Sequence, residues 1–170
     1  MRVPSWLRAG RTRWYVAGAV VLALAGVLTW VVWPEPADAP RERRYRNVTA
    51  CLLTDGEGIT GRDAAPVWAG MQEMSLRTLA RVQFVAVSGE QTPANAAAYL
   101  AGLTQGSCDV VVAVGAAPVG AVAQNAGRSP DVQFVSVGGA ASAPNVAIVD
   151  GTGNLRASVS QIVETMVGRR

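Results

Sequence analysis

Five short apolar runs constrain the fold of this chain more than any other feature of its sequence. They are rich in strand-forming residues, alternate with segments of helical spacing, and occupy residues 48–54, 82–87, 109–114, 132–137 and 146–149. Runs that are apolar almost throughout are typical of strands buried on both faces of a sheet. The sequence therefore predicts a mostly parallel sheet that is covered by helices on both sides.

Helix-start signals lie between the predicted strands and after the last one. Asp63 and Asn154 are predicted N-caps, Thr92 or Pro93 opens a second helix, and Pro118 opens a third. The first helix is expected to bury Val67, Met71, Met74 and Leu79. The whole pattern predicts a doubly wound α/β domain over residues 47–170, with five strands in the order 2-1-3-4-5.

A membrane anchor is predicted near the N-terminus. Residues 14–33 are 20 consecutive uncharged residues, most of them apolar. A helix of this length covers about 30 Å, the thickness of a hydrocarbon core. The only charged residues in 1–13 are arginines, and the first charges after the span are Glu35 and Asp38. We therefore predict a transmembrane helix at 14–33, and the positive-inside rule predicts that its flank at 1–13 is cytoplasmic and the rest of the chain extracytoplasmic. The extracytoplasmic part is expected to begin with a stiff stalk at 34–46.

Two alternatives to an uncleaved anchor were weighed. A signal peptide has an apolar core of about 7–15 residues, and although residues 37–39 read Ala-Asp-Ala, Pro40 directly after them should block cleavage. Residues 48–51 resemble a lipobox that ends in Cys51, but the charged segment 41–46 separates it from the apolar span. We therefore expect a single-pass protein in the cell membrane.

The composition excludes several kinds of site. The chain has no histidine, no lysine and only two cysteines. Catalytic triads, histidine-ligated or four-thiolate zinc, Schiff bases and phosphate-loop lysines are therefore excluded, and we predict no metal or cofactor. The net charge of +3 includes four arginines of the predicted cytoplasmic flank, whereas the other 11 arginines face 12 acids. We therefore predict no nucleic-acid binding. We expect the arginine-rich segment 41–46 to be a solvated linker, and the alternative is that it contacts anionic lipid or envelope polymer.

The two cysteines fall near the starts of predicted strands one and three. Cys51 and Cys108 would lie on neighbouring strands in the order 2-1-3-4-5, in an oxidising compartment. A disulfide between them is favoured, and the alternative is two buried free thiols.

The candidate ligand site lies where the strands end. Ligands of open α/β sheets bind beyond the carboxyl ends of the strands at the topological switch point. The residues that follow the first four strands there are the candidate ligand-binding residues, with Asp63 added from the start of the first helix. They are Asp55, Gly56, Glu57 and Gly58, then Gly89 and Glu90, then Gly115 and Ala116, and finally Gly138 and Gly139.

Two more specific functions of this edge, a dinucleotide site and an enzyme active site, have little support in the sequence. Gly56, Gly58 and Gly61 form a G-x-G-x-x-G, but Glu57 would put a carboxylate in the phosphate loop and Glu90 lies 29 residues beyond Gly61 instead of about 20. Asp55, Glu57 and Glu90 could supply paired acids for glycosidase-type catalysis. Because rim acids are usually solvated, we expect no enzyme and assign no catalytic residue.

One internal similarity supports the predicted strands. Residues 82–89 read VQFVAVSG and residues 132–139 read VQFVSVGG. The simplest interpretation is two strands in similar surroundings.

Four segments give the chain a resemblance to a known family. They are Leu-Thr-Asp-Gly at 53–56, Val-Trp-Ala-Gly-Met at 67–71, Cys-Asp-Val-Val-Val-Ala-Val-Gly at 108–115 and Pro-Asp-Val-Gln-Phe-Val at 130–135. Over about 100 residues the chain resembles the N-terminal lobe of the basic membrane protein family of ABC-transporter solute-binding proteins, which includes purine-nucleoside receptors. The resemblance implies a periplasmic-binding-protein type I fold and a small ligand such as a nucleoside.

The departures from that family concern the ligand contacts. The family carries Asp-Asp and Phe-Asn pairs after its first strand, whereas residues 60–65 here read TGRDAA, which leaves Asp55 and Asp63 as candidate contacts. Gly138 and Gly139 replace the family's aspartate after strand four, and the second lobe is expected to be absent.

Three functions therefore stay open at this point. The first is a membrane-anchored solute-binding module, with a transporter or envelope protein as partner and two copies that could pair as a homodimer. The second is a lobe that has lost its ligand and serves as a structural or interaction module. The third and weakest is an extracytoplasmic enzyme that uses rim carboxylates.

Overall fold

The structure, a computed structural model, describes residues 22–23, 45–140 and 142–169. The chain divides into two units, Met1–Glu42 and Arg43–Arg170, and the fold below is that of the second unit. The predicted flank at 1–13, the predicted span at 14–33 and the stalk at 34–46 lie outside the described residues, except for residues 22–23 and 45–46. Among the described residues, no helix has both the length and the apolar character needed to cross a membrane.

The second unit is built on a five-stranded parallel sheet, as the apolar runs predict. The strands are β1 Thr49–Thr54, β2 Arg81–Ala86, β3 Val110–Ala113, β4 Gln133–Val137 and β5 Val146–Val149. Their order in the sheet is β2-β1-β3-β4-β5, and every pairing is parallel. The predicted fold class and strand order are therefore confirmed.

Four helices cover the two faces of the sheet. They are α1 Ala64–Thr78, α2 Pro93–Gln105, α3 Ala116–Asn125 and α4 Leu155–Gly168, with short 3-10 turns at Gly58–Thr60 and Ala126–Arg128. Helices α1 and α4 share one core with the side chains of Ala50 and Leu52, whereas α2 and α3 share the other with Cys51 and Leu53. Alternate residues of β1 therefore serve two separate cores, which explains why this strand is apolar throughout.

Two predicted N-caps are confirmed, and the start of α1 is a correction. The side chains of Thr92 and Asn154 accept hydrogen bonds from the backbone N–H groups of Asn95 and Ala157. Asp63 occupies the N-cap position of α1, but its side chain makes no capping bond. Its backbone is already helical (φ −89°, ψ −28°), unlike the extended backbone typical of a capping residue.

Two other helix boundaries differ from the prediction. Helix α3 begins at Ala116 rather than at Pro118, because a proline is tolerated anywhere in a first turn, where the N–H groups have no partner within the helix. It ends at Asn125, and the residues that follow form a 3-10 turn. Leu79, predicted to be buried, lies beyond α1 in a left-handed conformation (φ 59°) and is exposed.

Strand β2 corrects the expectation that every strand is buried on both faces. It lies at the edge of the sheet and its residues are exposed or half-buried. Its counterpart in the internal similarity, β4, is paired on both sides and mostly buried. Phe84 is 44% exposed and packs edge-on against Trp68 with ring centroids 5.4 Å apart, whereas Phe134 is 0% exposed. The matching sequences therefore do not have similar surroundings.

The predicted disulfide is confirmed. Cys51 and Cys108 are bonded, with their Cα atoms 5.9 Å apart, and both residues are buried. The bond joins β1 to Cys108, which lies two residues before β3, and the Gln83 side chain of β2 lies beside it, with Nε2 3.1 Å and 3.4 Å from the two sulfur atoms. The disulfide therefore links segments 57 residues apart in the chain at the amino end of the sheet.

A charged network closes the outer seam between α1 and α4. Arg77 pairs with Glu73 and with Glu164 at 2.9 Å each, and its Nη2 also donates to Ser160 Oγ at 2.6 Å. Arg156 pairs with the other oxygen of Glu73 at 3.1 Å. Glu73 therefore accepts hydrogen bonds from one arginine of each helix.

Acid should remove the contribution of this network to stability. Hydrogen bonds from Arg156, and then from Arg77, lower the pKa of Glu73 below its ordinary value. A carboxylate whose pKa is lower in the folded than in the unfolded protein stabilises the fold, and this stabilisation is complete at pH values above the unfolded-state pKa. It is lost as the pH falls through the folded-state pKa. We expect Glu73→Gln to be slightly less stable than the wild type at about pH 7, and we expect this difference to be smaller at about pH 3, by urea denaturation.

Glu90→Gln is the matched control for this experiment, because the structure gives the exposed Glu90 carboxylate no ion pair among the described residues. Its stability difference from the wild type at about pH 7 should be smaller, because no ion pair is lost. An equal loss of stability for Glu73→Gln at both pH values would contradict the assignment.

Candidate functional site

The candidate residues that follow strands lie at the carboxyl edge of the sheet. The chain leaves β1 for α1 on one face and leaves β3 for α3 on the opposite face. Because β1 and β3 are neighbours, the two connections diverge between them, which makes this the topological switch point of the sheet. Asp55 and Gly115 occupy the two sides of that switch point.

Asp55 and Gly115 are in direct contact. A Cβ atom on Gly115 would lie 2.8 Å from Asp55 Oδ2, so the carboxylate rests against the backbone of Gly115. Gly115 is the N-cap residue of α3 and has no side chain with which to cap it. The half-buried Asp55 thus places a negative charge beside the positive end of the α3 dipole, where a carboxylate is favoured.

The other carboxylate oxygen of Asp55 is held within its own loop. Oδ1 accepts a hydrogen bond from the N–H of Glu57 at 3.2 Å, which forms a turn directly after β1. This orients the carboxylate with a single hydrogen bond among the described residues, although a carboxylate has room for about four. The remaining capacity is available to hydrogen-bond donors on a ligand.

The glycine-rich loop is not a phosphate cradle. Gly56 N–H donates to Gln91 Oε1 at 3.1 Å, Gly58 N–H donates to the Asp55 carbonyl at 3.1 Å, and Gly61 N–H donates to the Gly58 carbonyl at 3.4 Å. All three glycine amides of the G-x-G-x-x-G are therefore used inside the protein. A dinucleotide site needs such amides to point at the pyrophosphate, so the weak fingerprint has no structural support here.

Gln91 joins the loop after β1 to the loop after β2. Its Nε2 donates to the carbonyls of Val87 and Gly89 at 2.9 and 3.1 Å, while its Oε1 accepts from Gly56. Sequence reasoning missed this role, because an exposed glutamine in a loop belongs to no motif. These bonds keep the residues beside Asp55 in one arrangement.

Two residues of α2 hold the loop after β2. Asn95 Nδ2 donates to the carbonyls of Ser88 and Glu90, both at 2.8 Å, and the Tyr99 hydroxyl lies 3.3 Å from the Ser88 nitrogen. Gly89 and Glu90 are exposed at the top of this loop. The backbone of the loop is therefore anchored by helix α2.

The remaining candidate residues lie farther from the Asp55 contact or point elsewhere. The Glu57 carboxylate folds back over Gly61, since a Cβ atom there would lie 3.1 Å from Glu57 Oε2. Asp63 is exposed at the start of α1, and Ala116 is exposed in the first turn of α3. Gly138 donates its N–H to the Val149 carbonyl at 2.9 Å, while Gly139 packs against Val119. The structure therefore assigns the closest contact of the site to Asp55 and Gly115.

Metal binding finds no support in the part of the chain that the structure describes. Among residues 22–23, 45–140 and 142–169, no three acidic or cysteine side chains are grouped so that they could hold an ion. A cavity of about 480 Å³ opens at the opposite, amino end of the sheet, where it is lined by Tyr45, Thr49, Arg81 and Gln83 among others.

Substitution of Gly115 tests the contact with Asp55. Gly115 has φ +97° and ψ 157°, a conformation that is almost restricted to glycine. We expect Gly115→Ala to cost about 1–3 kcal/mol of stability, because of backbone strain and because the new Cβ displaces the carboxylate of Asp55. Gly102→Ala is the control: it lies in α2 with nothing within 4 Å of the added Cβ and should stabilise by about 0.5–1 kcal/mol. Equal effects in thermal unfolding would contradict this account.

Comparisons with known proteins bear on the fold. Neither a known protein family nor a curated protein sequence matches the chain. Solved structures that resemble it include the following two. One is a fragment from Peptoclostridium difficile 630, provisionally described as a lipoprotein, with 13% identity, a TM-score of 0.60 and coverage of 70% of this chain and 98% of the fragment. The other is an ABC-transporter solute-binding protein from Aeropyrum pernix K1, with 20% identity, a TM-score of 0.50 and coverage of 59% of this chain and 28% of that protein.

These similarities establish the kind of fold. At such low sequence identity they show that the chain has a solute-binding-protein-like α/β fold, without assigning it to the basic membrane protein family. The chain matches little more than a quarter of the length of the solute-binding protein, which corresponds to one part of that molecule.

Proposed function

We propose that this protein is a one-lobed solute-binding module of the basic-membrane-protein type, held outside the cell by residues 14–33. Its ligand is a small solute rich in hydroxyl or amino groups, such as a nucleoside. It delivers or reports that solute to a transporter or another envelope protein, and it performs no catalysis. The observation that carries the proposal is the Asp55 carboxylate, oriented by Glu57 N–H and resting on Gly115 at the switch point of the sheet.

The chemistry of the rim supports a ligand that donates hydrogen bonds. Asp55, Glu57 and Glu90 offer carboxylate oxygens, which only accept, and the glycine amides of the first loop are already occupied. A phosphate or carboxylate ligand would meet acids of its own charge there. A sugar, nucleoside or amine supplies the donors that these oxygens lack.

The anchored loops support a site that is formed before the ligand arrives. Gln91 and Asn95 fix the loops after β1 and β2 by hydrogen bonds to backbone groups. A preformed rim spares the ligand the entropy cost of ordering these loops. The domain that the structure describes supplies one wall of such a site.

A ligand-free interaction module is the second candidate. The observation in its favour is the absence of an aromatic residue in the loop at 55–65, where the resembled family stacks its nucleoside. Such a module would keep the fold and bind only proteins of the cell envelope. The two candidates differ in their response to small solutes.

Thermal unfolding of the full chain in detergent distinguishes the two candidates. Nucleosides, nucleobases, sugars and amino acids are added separately to the wild type, to Asp55→Asn and to Asp150→Asn. Asp150 is the matched control, because it forms the same kind of turn, with Thr152 N–H at 2.9 Å, after the distant strand β5. A solute at about 100 times its Kd should add about 2.7 kcal/mol, or several degrees, to the wild type and to Asp150→Asn.

The proposal requires that Asp55→Asn lose most of this shift while melting normally without solute. Shifts that are equal in all three proteins would place the solute elsewhere. The absence of a shift with every class would favour the interaction module.

A further inference from the structure

Strand β2 leaves one side of its backbone without a partner among the described residues. It pairs with β1 alone. The N–H groups of Arg81 and Val87 donate to the carbonyls of Val48 and Thr54, at 2.9 and 3.0 Å, on the side of β1. Because successive amides of a strand point to alternate sides, those of Val82, Phe84 and Ala86 point away from the sheet. Three N–H groups and their neighbouring carbonyls are therefore available to another strand.

The sequence of β2 is that of an interior strand. Residues 82–87 (VQFVAV) differ at one position from residues 132–137 (VQFVSV), which form β4 and pair on both sides. Exposed edge strands usually carry lysines, prolines, bulges or inward charges that prevent pairing. In β2 the only charged residue is Arg81, at its first position. The strand thus lacks the features that protect a free edge.

Exposed apolar side chains gather along the same edge. Three described residues form a surface that we call the β2 flank, namely Tyr45, Leu79 and Phe84, which are 38–49% exposed, and Leu76 of α1 is also exposed, at 62%. Trp68 packs against Phe84, the Arg46 N–H donates to the Leu79 carbonyl at 2.7 Å, and Tyr45 lines a cavity with Val82. In the described part of residues 45–169, Ile148 is the one other large apolar residue exposed to this degree.

The charges at the two ends of β2 have opposite signs. Arg46 and Arg81 lie at its amino end, and Glu57 and Glu90 lie in the loops at its carboxyl end, together with Arg62. An antiparallel neighbour with the same sequence would bring each basic end to the other's acidic end. A parallel neighbour would bring like ends together.

We infer that two copies of this chain associate through β2 to form one continuous ten-stranded sheet. The strands run antiparallel about a two-fold axis at Phe84, so that Phe84 faces Phe84 of the second copy and Val82 faces its Ala86. In this register the outward amides of both strands are all bonded. Arg81 lies opposite Val87 of the second copy, beside the loop that carries Glu90. The two Phe84 rings, flanked by Trp68, form an aromatic pair across the seam.

A charge at position 84 tests this dimer. The full chain in detergent is examined by sedimentation equilibrium as the wild type, Phe84→Glu and Ile148→Glu. Ile148 is the matched control, because it is exposed to a similar extent (37%) on the opposite edge strand, β5. We expect the wild type and Ile148→Glu to dimerise alike, and we expect Phe84→Glu to weaken the dimer at least about tenfold, because two carboxylates would face each other.

Two further variants address the register and the backbone. A mixture of Phe84→Glu with Phe84→Arg should form heterodimers, since position 84 faces itself. Ala86→Pro removes an outward N–H while leaving the bonds from β2 to β1 in place, so it should give a folded monomer even if the charged variants unfold. A monomeric wild type, or dimers that persist in both Phe84→Glu and Ala86→Pro, would overturn the inference.

Discussion

Removal of the Cys51–Cys108 disulfide is expected to destabilise the domain by about 4 kcal/mol. The two residues lie 57 positions apart, and in the chain-entropy model a cross-link of that span restricts the unfolded chain by about this amount. We expect the double variant Cys51→Ala, Cys108→Ala to melt roughly 10–20 °C below the wild type. The replacement also leaves the Gln83 amide without its sulfur neighbours at the edge of the sheet.

Reduction of the wild type is the control for this substitution. A thiol reductant should lower the melting temperature of the wild type toward that of the double variant and should leave the variant unchanged. If the oxidised and reduced wild type melt together, the bond does not constrain the unfolded chain, and the prediction fails.

The second large effect is expected from one substitution made at the two matching phenylalanines. Phe134 is among the largest fully buried side chains and lies in the core beneath α2 and α3. Phe134→Ala should therefore cost about 3–5 kcal/mol through lost burial and the cavity it leaves. Phe84→Ala removes the same atoms from the same local sequence, VQFV, but from a position that is 44% exposed. Its cost should be about 1–2 kcal/mol, for partial burial and the Trp68 contact.

Urea denaturation measures the loss in free energy of unfolding for both variants. The protein concentration is kept low enough to separate any dimer. The difference between the two variants should be at least about 1 kcal/mol, with Phe134→Ala the less stable. Similar costs at the two positions would mean that local sequence, rather than position in the sheet, sets the contribution of the ring.

The pair of phenylalanines also shows where prediction from the sequence reaches its limit. The apolar runs and the helix signals between them gave the five strands, their order and the pairing of Cys51 with Cys108, because these follow from local pattern and general topology. Strand β2 was expected to be buried on both faces because its run is apolar almost throughout, like that of β4. The predicted strand order already placed β2 at the edge of the sheet, but the residues of the strand itself do not record that position.

The predictions of some helix boundaries were wrong for a related reason. Asp63 and Thr92 carry the same kind of capping signal, yet only Thr92 makes the bond, because its backbone is extended (φ −118°, ψ 150°) whereas that of Asp63 is helical. No capping motif in the sequence distinguishes these two backbone conformations.

The candidate site was located by topology and not by its contacts. The rule for open sheets places Asp55 and Gly115 at one edge, and the structure brings them into contact. The orienting role of Gln91 depends on a bond to Gly56 across 35 residues, which no local motif encodes. The predicted membrane span at 14–33 lies outside the described residues and stays a prediction.

Hydrogen–deuterium exchange of the full chain tests the proposed solute site most directly. Amide exchange is measured with and without each solute class, in the wild type and in Asp55→Asn. A bound solute should slow exchange in the loop at 55–61 and at the start of α3, residues 115–118, and the effect should vanish in Asp55→Asn. Protection confined to other parts of the domain, or no protection with any class, would contradict a solute site at the switch point.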